Sequence, residues 1–218
     1  MLVLGIDEAG RGPVIGSMII GGVLDTDRAS IAYSEMGCKD SKLVPPEKRE
    51  ELKEKILSRS KEARFIEVSA SEIDFLRGRM SLNEIEAKKM AELVQMFDEK
   101  PEQLIIDCPD TIPDNFLRRL HKYLGPNINA IIEHKADVNH PIVSAASIIA
   151  KCERDDSVRR LEERYGPLGT GYPHDPLTKK FLEECFQSTG KFPSCVRKSW
   201  ETARVFQERK CQKMLSEY

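Results

Sequence analysis

The sequence predicts an α/β protein in which helices flank a mixed central sheet and a helical C-terminal subdomain follows. Three short apolar runs, at residues 2–7, 104–107 and 130–133, have the composition of buried strands, and each ends in an acidic residue. Helical patterns separate these runs, as is typical of an α/β sheet. After Arg154 the chain is charged and lacks strand patterns. We therefore expect a core over residues 1–155 and a helical subdomain over residues 156–218.

The other elements follow from local patterns. Residues 14–24 form a second apolar run, which predicts a strand hairpinned to the first, with bulges where Gly16, Gly21 and Gly22 interrupt it. Each helix is predicted from at least one local signal. These signals are an early proline, an acidic first turn, a Ser or Asp cap, and a 3.6-residue apolar period. We expect one more strand over residues 64–69, and helices over residues 45–58, from Ser71 or Ser81 to residue 96, over residues 114–123, from Pro141, over residues 176–190, and from Ser194 or Ser199 onward.

Composition limits the classes of protein that need to be considered. With 218 residues, 40% hydrophobic and 32% charged, the chain can bury one good core and carry a smaller appendage. A net charge of −2 excludes a uniformly basic nucleic-acid binder, but not a nuclease whose acidic ligands offset basic patches. Six cysteines without Cys-x-x-Cys spacing predict reduced thiols in the cytoplasm and no zinc site. No apolar run approaches the roughly 18 residues that span a membrane. The protein is expected to be a monomer.

Acidic residues stand where the predicted strands end. Asp7 and Asp107 close apolar runs, Glu8 follows Asp7, and Asp137 lies four residues after the run that ends at Glu133. The functional crevice of an open α/β sheet lies at the carboxyl ends of its strands, so these carboxylates are expected to converge. Clustered carboxylates repel each other unless hard cations neutralise them, and oxygen ligands suit Mg²⁺ or Mn²⁺. A pair of such ions is the usual arrangement for phosphodiester hydrolysis.

A glycine-rich loop, Gly10-Arg11-Gly12, follows the first strand. Glycine permits a sharp bend and lets backbone N–H groups approach a ligand closely. The arginine between the two glycines suits a phosphate or another planar acceptor. The loop is therefore predicted to bind part of a ligand.

The opening segment, residues 2–13, closely resembles the signature of type 2 ribonucleases H, the ribonuclease HII family. Five further blocks resemble that family in the same order, so the resemblance extends from residue 2 to residue 176. It is to the single-chain archaeal and bacterial form, and it implies a ribonuclease H-like fold. The further blocks are Asp40-Ser41-Lys42, Ile105-Ile106-Asp107, Lys135-Ala136-Asp137, residues 144–151, and Gly169-Thr170-Gly171-Tyr172-Pro173.

The resemblance implies a catalytic role for the acidic residues. Asp7, Glu8, Asp107 and Asp137 match the acids that bind the catalytic metal ions in the family. Two ions, Mg²⁺ or Mn²⁺, are expected during catalysis. The implied reaction is endonucleolytic hydrolysis of RNA in RNA–DNA hybrids, including cleavage 5′ of ribonucleotides embedded in duplex DNA, which leaves 3′-hydroxyl and 5′-phosphate ends. The implied biological roles are ribonucleotide excision and primer removal in DNA replication.

The resemblance also implies substrate contacts. Gly10, Arg11 and Gly12 resemble the loop that reads the 2′-hydroxyl, mainly through backbone groups, and this hydroxyl distinguishes RNA from DNA. Tyr172 is implied to pack on the sugar of the neighbouring deoxynucleotide, and Lys42 to contact a phosphate. Weaker candidates for phosphate contacts are Lys39, Lys151, Arg197 and Lys198.

Three alternative functions stay open at this point. An actin-like phosphotransferase shares the Gly-Ile-Asp opening, although its second phosphate loop and adenosine motif are absent from the sequence. A DNA junction resolvase also combines this opening with an acidic metal site. A non-catalytic module would bind hybrid duplexes without cutting them.

The end of the chain suggests a protein partner. Gln212, Leu215 and Tyr218 follow the spacing Gln-x-x-Leu-x-x-aromatic, which resembles the sliding-clamp-binding box of replication and repair enzymes. Residues three apart share one face of a helical turn, so Leu215 and Tyr218 can enter one pocket together. The alternative is a helix end whose Leu215 packs on the subdomain.

Overall fold

A computed structural model describes residues 1–38, 44–206 and 208, and every element below lies within these ranges. The strands are β1 (Leu2–Ala9), β2 (Met18–Thr26), β3 (Glu62–Val68), β4 (Gln103–Asp107) and β5 (Ala130–Glu133). The helices are α1 (Asp27–Glu35), α2 (Pro46–Arg59), α3 (Ala70–Arg77), α4 (Leu82–Gln95), α5 (Pro113–Leu124), α6 (Ala136–Asn139), α7 (Pro141–Tyr165) and α8 (Pro176–Thr189). Residues 201–206 are also helical.

The five strands form one mixed sheet in the order β3-β2-β1-β4-β5. β1 pairs antiparallel with β2 and parallel with β4, and β4 pairs parallel with β5. The mixed sheet with flanking helices confirms the predicted fold class. The buried residues of β2, β1 and β4 explain why these three strands are the interior strands of the sheet.

The chain divides into two compact units. The first consists of residues 1–9, 19–67 and 81–154, and the second of residues 10–18, residues 68–80 and the described residues from Asp155 onward. The predicted domains, residues 1–155 and 156–218, stay a prediction about independent folding. What the sequence did not suggest is that two segments from the N-terminal half, residues 10–18 and 68–80, belong to the second unit.

In the first unit, helix α7 packs directly on the sheet backbone. A Cβ on Gly5 would lie 2.6 Å from the Ile142 carbonyl, and one on Gly21 would lie 2.6 Å from the Ala146 oxygen. Small residues at these points let the helix and the strands approach at backbone distance. The bulges expected at Gly21 and Gly22 are wrong, because the β1–β2 pairing runs without interruption from Leu2 to Ala9. Gly16, where a third bulge was expected, lies before β2 begins.

The second unit has its own apolar core. Apolar side chains from the segment after β1, from α8 and from the segment after α8 pack together, with Tyr165, Phe186 and Trp200 partly buried around them. The buried members are Val14, Ile15, Leu168, Phe181, Leu182, Phe192, Cys195, Val196 and Ala203. The first two therefore belong to this core, not to β2 as predicted.

Most of the predicted helix boundaries agree with the structure, with three differences. Helix α1 was not predicted, because its sequence is largely polar; Thr26 caps it by accepting from the Ala29 N–H at 3.3 Å. The cap of α3 is Ser69 and not Ser71, whereas Ser81 caps α4 as expected. Helix α7 continues past Arg154 to Tyr165.

Two further predictions concern the oxidation state of the cysteines and the presence of membrane-spanning helices. The cysteines in the described part, Cys38, Cys108, Cys152, Cys185 and Cys195, are free thiols. Among the described residues, no helix is both long enough and apolar enough to cross a membrane.

Candidate active site

Two of the predicted acids lie side by side at one edge of the sheet. β1 and β4 are parallel neighbours, and Ile6 pairs with Ile106. Asp7 and Asp107 each follow by one residue, so they occupy equivalent positions at the ends of adjacent strands. Equivalent positions of a parallel pair project from the same face of the sheet. The structure thus brings these two carboxylates together.

Asp137 reaches the same edge through a tight turn after β5. Lys135 has a φ of 62°, a left-handed conformation that is uncommon for a residue with a Cβ atom. Helix α6 begins at the next residue, and the Ala136 N–H donates to Asp107 Oδ1 at 2.9 Å. Asp137 follows Ala136 and is buried. This hydrogen bond therefore ties the segment that carries Asp137 to Asp107.

Asp7 is a buried carboxyl, only 4% exposed, among other charged groups. Burial raises the pKa of Asp7 well above its ordinary value of 3.8, and the negative charges of Glu8 and Asp107 raise it further. A hydrogen bond with Ser147 and the positive charge of Lys151 act in the opposite direction on this pKa. Asp7 therefore holds its proton to a higher pH than an exposed aspartate does.

Ser147 and Lys151 link helix α7 to Asp7. Lys151 Nζ donates to Ser147 Oγ at 2.9 Å, and Ser147 is hydrogen-bonded to Asp7. A hydroxyl has one proton, so Ser147 can accept from the ammonium group and donate to the carboxylate. From sequence alone, Lys151 is a candidate phosphate contact and Ser147 has no predicted role. The one local signal is their spacing of four residues, which places both side chains on one face of the helix.

The acidic edge has donor chemistry that suits a hard divalent cation. Asp7, Glu8, Asp107 and Asp137 offer only carboxylate oxygens, which are the ligands that Mg²⁺ and Mn²⁺ prefer. Asp7 is buried beside two negative charges, an arrangement that a bound cation would stabilise. As they stand, however, the described residues contain no group of three or more His, Cys, Asp or Glu side chains that could hold a metal ion. The ligand roles therefore stay predictions.

The glycine loop and Tyr172 both belong to the second unit and are in contact. A Cβ on Gly12 would lie 3.1 Å from Tyr172 Cε1, so the ring lies against this glycine. The Gly171 carbonyl accepts the N–H groups of Val14 at 2.8 Å and Ile15 at 3.2 Å. Tyr172 keeps 38% of its surface exposed. Two residues predicted from different blocks of the sequence thus form one surface.

The loop that carries Tyr172 is held by helix α8. Gly169 and Gly171 have φ values of 69° and 79°, which favour glycine. Thr178 Oγ1 accepts the Gly171 N–H at 3.0 Å and donates to the Leu168 carbonyl at 2.8 Å. Thr178 is fully buried, so these bonds are shielded from water. The position of Tyr172 is therefore fixed by backbone geometry.

Arg197 is not a phosphate contact, contrary to its place among the weaker candidates. It is fully buried, and its guanidinium group donates to the carbonyls of Gly10, Arg11 and Gly16. Trp200 Nε1 donates to the Gly12 carbonyl at 3.1 Å. Sequence reasoning missed this role, because buried and exposed arginines look the same in a charged segment.

Arg11 is partly buried in the loop. Lys39 and Lys42, and the tail residues Gln212, Leu215 and Tyr218, lie outside the described residues.

Comparison with known proteins agrees with this architecture. The model of the family described as ribonuclease HII matches residues 4–203. The ribonuclease HII of Methanothrix thermoacetophila is 45% identical over 205 residues, which cover 94% of this chain and 96% of that protein.

Two solved structures are also similar. The crystal structure of the ribonuclease H2 from Pyrococcus horikoshii has a TM-score of 0.89 at 41% identity, covering 96% of this chain and 98% of that one. The structure of the PCNA:RNase HII complex from Archaeoglobus fulgidus matches with a TM-score of 0.82 at 39% identity, covering 92% of this chain and 96% of that one.

The family match spans predicted site residues of both units. It includes the strand ends with Asp7 and Asp107, the segment with Asp137, and the loop with Tyr172. Identity of 45% over nearly the whole length extends the agreement beyond short motifs. The relatives are hydrolases that act as endonucleases, and their family depends on divalent metal ions. This chain belongs to the ribonuclease HII family.

Proposed function

We propose that this enzyme hydrolyses the RNA strand of RNA–DNA hybrids and cuts duplex DNA on the 5′ side of embedded ribonucleotides, leaving 3′-hydroxyl and 5′-phosphate ends. The observation that carries the proposal is the position of Asp7 and Asp107 at the ends of adjacent parallel strands, with Ala136 bonded to Asp107. Ribonucleotide excision and primer removal are the cellular tasks that this activity would serve.

The residues that would hold two Mg²⁺ or Mn²⁺ ions are Asp7, Glu8, Asp107 and Asp137. The chemistry that such ions supply when bound is acidification of a water and neutralisation of charge on the leaving oxygen. Ser147 and Lys151 orient Asp7 by hydrogen bonding and partly offset its negative charge. No histidine base is needed in this scheme.

Substrate recognition is assigned to the second unit. The carbonyls of Gly10, Arg11 and Gly12 accept bonds from Arg197 and Trp200, which fix the backbone of the loop and the direction of its N–H groups. These groups would contact the ribose 2′-hydroxyl, and Tyr172 would pack on the next sugar. Lys42 is proposed to contact a phosphate.

The tail is proposed to bind the sliding clamp weakly. One relative has been solved as a PCNA:RNase HII complex, and Gln212, Leu215 and Tyr218 have the spacing of a clamp-binding box. Calorimetric titration of the clamp with the full chain, and with a chain ending at Lys210, tests this interaction. Heat from the full chain alone supports it, and equal heats or no binding by either would contradict it.

A cleavage assay with matched substrates tests the catalytic proposal. The substrates are an RNA–DNA hybrid, a DNA duplex with one ribonucleotide, the all-DNA duplex of the same sequence, and an all-DNA four-way junction. We expect cutting of the first two in Mg²⁺ or Mn²⁺, and none in EDTA. Cutting of the junction alone would indicate a resolvase. Binding without turnover in either metal would indicate a non-catalytic hybrid-binding module.

A further inference from the structure

Arg197 is buried, and its guanidinium group donates hydrogen bonds to the backbone of the glycine loop and of Gly16. Its Nη2 donates to the Gly10 carbonyl at 2.6 Å, its Nη1 to the Arg11 carbonyl at 2.8 Å, and its Nε to the Gly16 carbonyl at 2.9 Å. Burying a guanidinium group is costly unless hydrogen bonds satisfy it. A fully buried arginine that uses its planar fork in this way holds several peptide planes at once.

Trp200 completes the contact with the loop. Its ring centroid lies 4.8 Å from Arg197 Cζ, a cation–π distance, and its Nε1 donates to the Gly12 carbonyl. The carbonyls of Gly10, Arg11 and Gly12, three consecutive residues, are therefore held by two side chains from one short segment.

The backbone places Arg197 in register with the loop. Ile15 and Val196 form an antiparallel bridge. The Gly16 N–H donates to the Cys195 carbonyl, and the Arg197 N–H donates to the Val14 carbonyl, both at 2.8 Å. The side chain of Arg197 therefore enters the loop from a fixed point of the main chain.

Holding a carbonyl also sets the direction of the following N–H group. In a trans peptide the C=O of one residue and the N–H of the next point in opposite directions, and the described residues contain no cis peptide. Because Arg197 holds the carbonyls of Gly10 and Arg11, the N–H groups of Arg11 and Gly12 point away from it. Trp200 holds the Gly12 carbonyl, which precedes Pro13, so this bond orients no following N–H group. It acts indirectly, because it fixes the position of Gly12, whose own N–H belongs to the peptide that Arg197 holds.

We infer that Arg197 is a positioning residue for ribonucleotide recognition, and that Trp200 supports it. Arg197 presents the Arg11 and Gly12 N–H groups in the direction needed to bind the ribose 2′-hydroxyl. This inference rests on the proposed function, in which the loop reads that hydroxyl. Arg197 touches no substrate in this role and acts through the loop backbone.

The test measures the ratio of the affinities for a ribonucleotide-containing duplex and for the matched all-DNA duplex. A folding defect lowers the amount of active protein but does not change this ratio. Binding is measured in an Asp107→Asn background with EDTA, which together prevent cutting, with a duplex that contains one ribonucleotide and with the matched all-DNA duplex. Arg197→Lys keeps the charge and loses the three-donor fork. Trp200→Phe keeps the ring beside Arg197 and loses only the bond to Gly12. Leu182→Ala is the control, because it removes a buried side chain of the same unit.

We expect the parent to prefer the ribonucleotide duplex and Arg197→Lys to reduce that preference about fivefold, roughly the value of one lost hydrogen bond. Trp200→Phe should reduce the preference by a smaller factor, and Leu182→Ala should lower the melting temperature with the preference unchanged. A parent that discriminates while Arg197→Lys and Trp200→Phe retain its ratio overturns the inference alone. A parent without preference overturns recognition of the hydroxyl as well. If Arg197→Lys does not fold, Trp200→Phe decides by the same criterion.

Discussion

The two units differ in how their predicted ligand-binding groups are held in place. In the first unit, charged side chains at strand ends are brought together against their mutual repulsion, and burial raises the pKa of Asp7. In the second, backbone groups of the glycine loop are held in place by Arg197 and Trp200, whose own hydrogen bonds are thereby satisfied. The acidic edge thus stores unfavourable electrostatic energy that a cation would relieve, whereas the loop is stable as it stands.

This contrast predicts that substitutions in the two units have different consequences. Removing a charge from the acidic edge should lower activity and raise stability. Removing an aromatic ring from the loop surface should lower activity with little change in stability, because the ring is partly exposed.

The largest effect is expected for Asp107→Asn. Asparagine keeps an Oδ1 that can accept the Ala136 N–H, so the turn into α6 should survive while a carboxylate is lost. Several kcal/mol of transition-state stabilisation depend on carboxylate-bound metal in such sites, so we expect cleavage to fall by roughly 10²-fold or more. Single-turnover cleavage of the ribonucleotide duplex measures this. Retention of more than a few per cent of activity would contradict the proposed metal-binding role of the four acids.

The second prediction concerns stability against pH in EDTA. The folded-state pKa of Asp7 is raised, so its stabilising contribution is complete below the unfolded value near 3.8 and is lost as pH rises through the folded value. Asp7→Asn should remove that loss, and at neutral pH it should be more stable than the wild type. Urea unfolding between pH 4 and 8 measures the difference.

Asp110 supplies a matched control of opposite sign. Burial alone would raise the pKa of Asp110, but hydrogen bonds from Asn83, Ile112, Arg119 and Thr111 lower it overall. Its stabilising contribution is present above the unfolded value and is lost as pH falls through the lowered folded value. Asp110→Asn should therefore destabilise the protein at neutral pH. If Asp7→Asn destabilises it as well, the interpretation of the acidic edge is wrong.

The smallest of the three effects is expected for Tyr172. Packing the exposed part of the ring against a sugar removes apolar surface from water and is expected to contribute about 1–2 kcal/mol, so Tyr172→Ala should slow cleavage at a single ribonucleotide by roughly 5- to 30-fold. Tyr172→Phe keeps the ring against Gly12 and should retain most of the activity. Both rates are measured beside melting temperatures, which should change little. A large fall in melting temperature together with normal cutting would show that Tyr172 is structural.

The sequence by itself determined the local features of both regions. Apolar runs that end in aspartate predicted β1 and β4 with their acids, because a strand pattern depends on the residues in that strand. The blocks that resemble ribonuclease HII identified the family. The start of α8 is also a local feature, because Asp175, directly before Pro176, accepts from the N–H groups of Leu177 and Thr178.

Only the tertiary structure decided which distant residues stabilise the acidic strand ends and the glycine loop. The parallel register that places Asp7 beside Asp107, and the bond from Arg197 to a carbonyl 186 residues earlier, arise between segments distant in sequence. An arginine carries the same charge whether it binds phosphate in solvent or holds a buried loop, and its sequence neighbours do not distinguish the two. Gly21 likewise suggested a bulge, until the close approach of α7 showed that the missing side chain makes room for a helix. Burial selects among these chemically equivalent roles, and burial is a property of the whole fold.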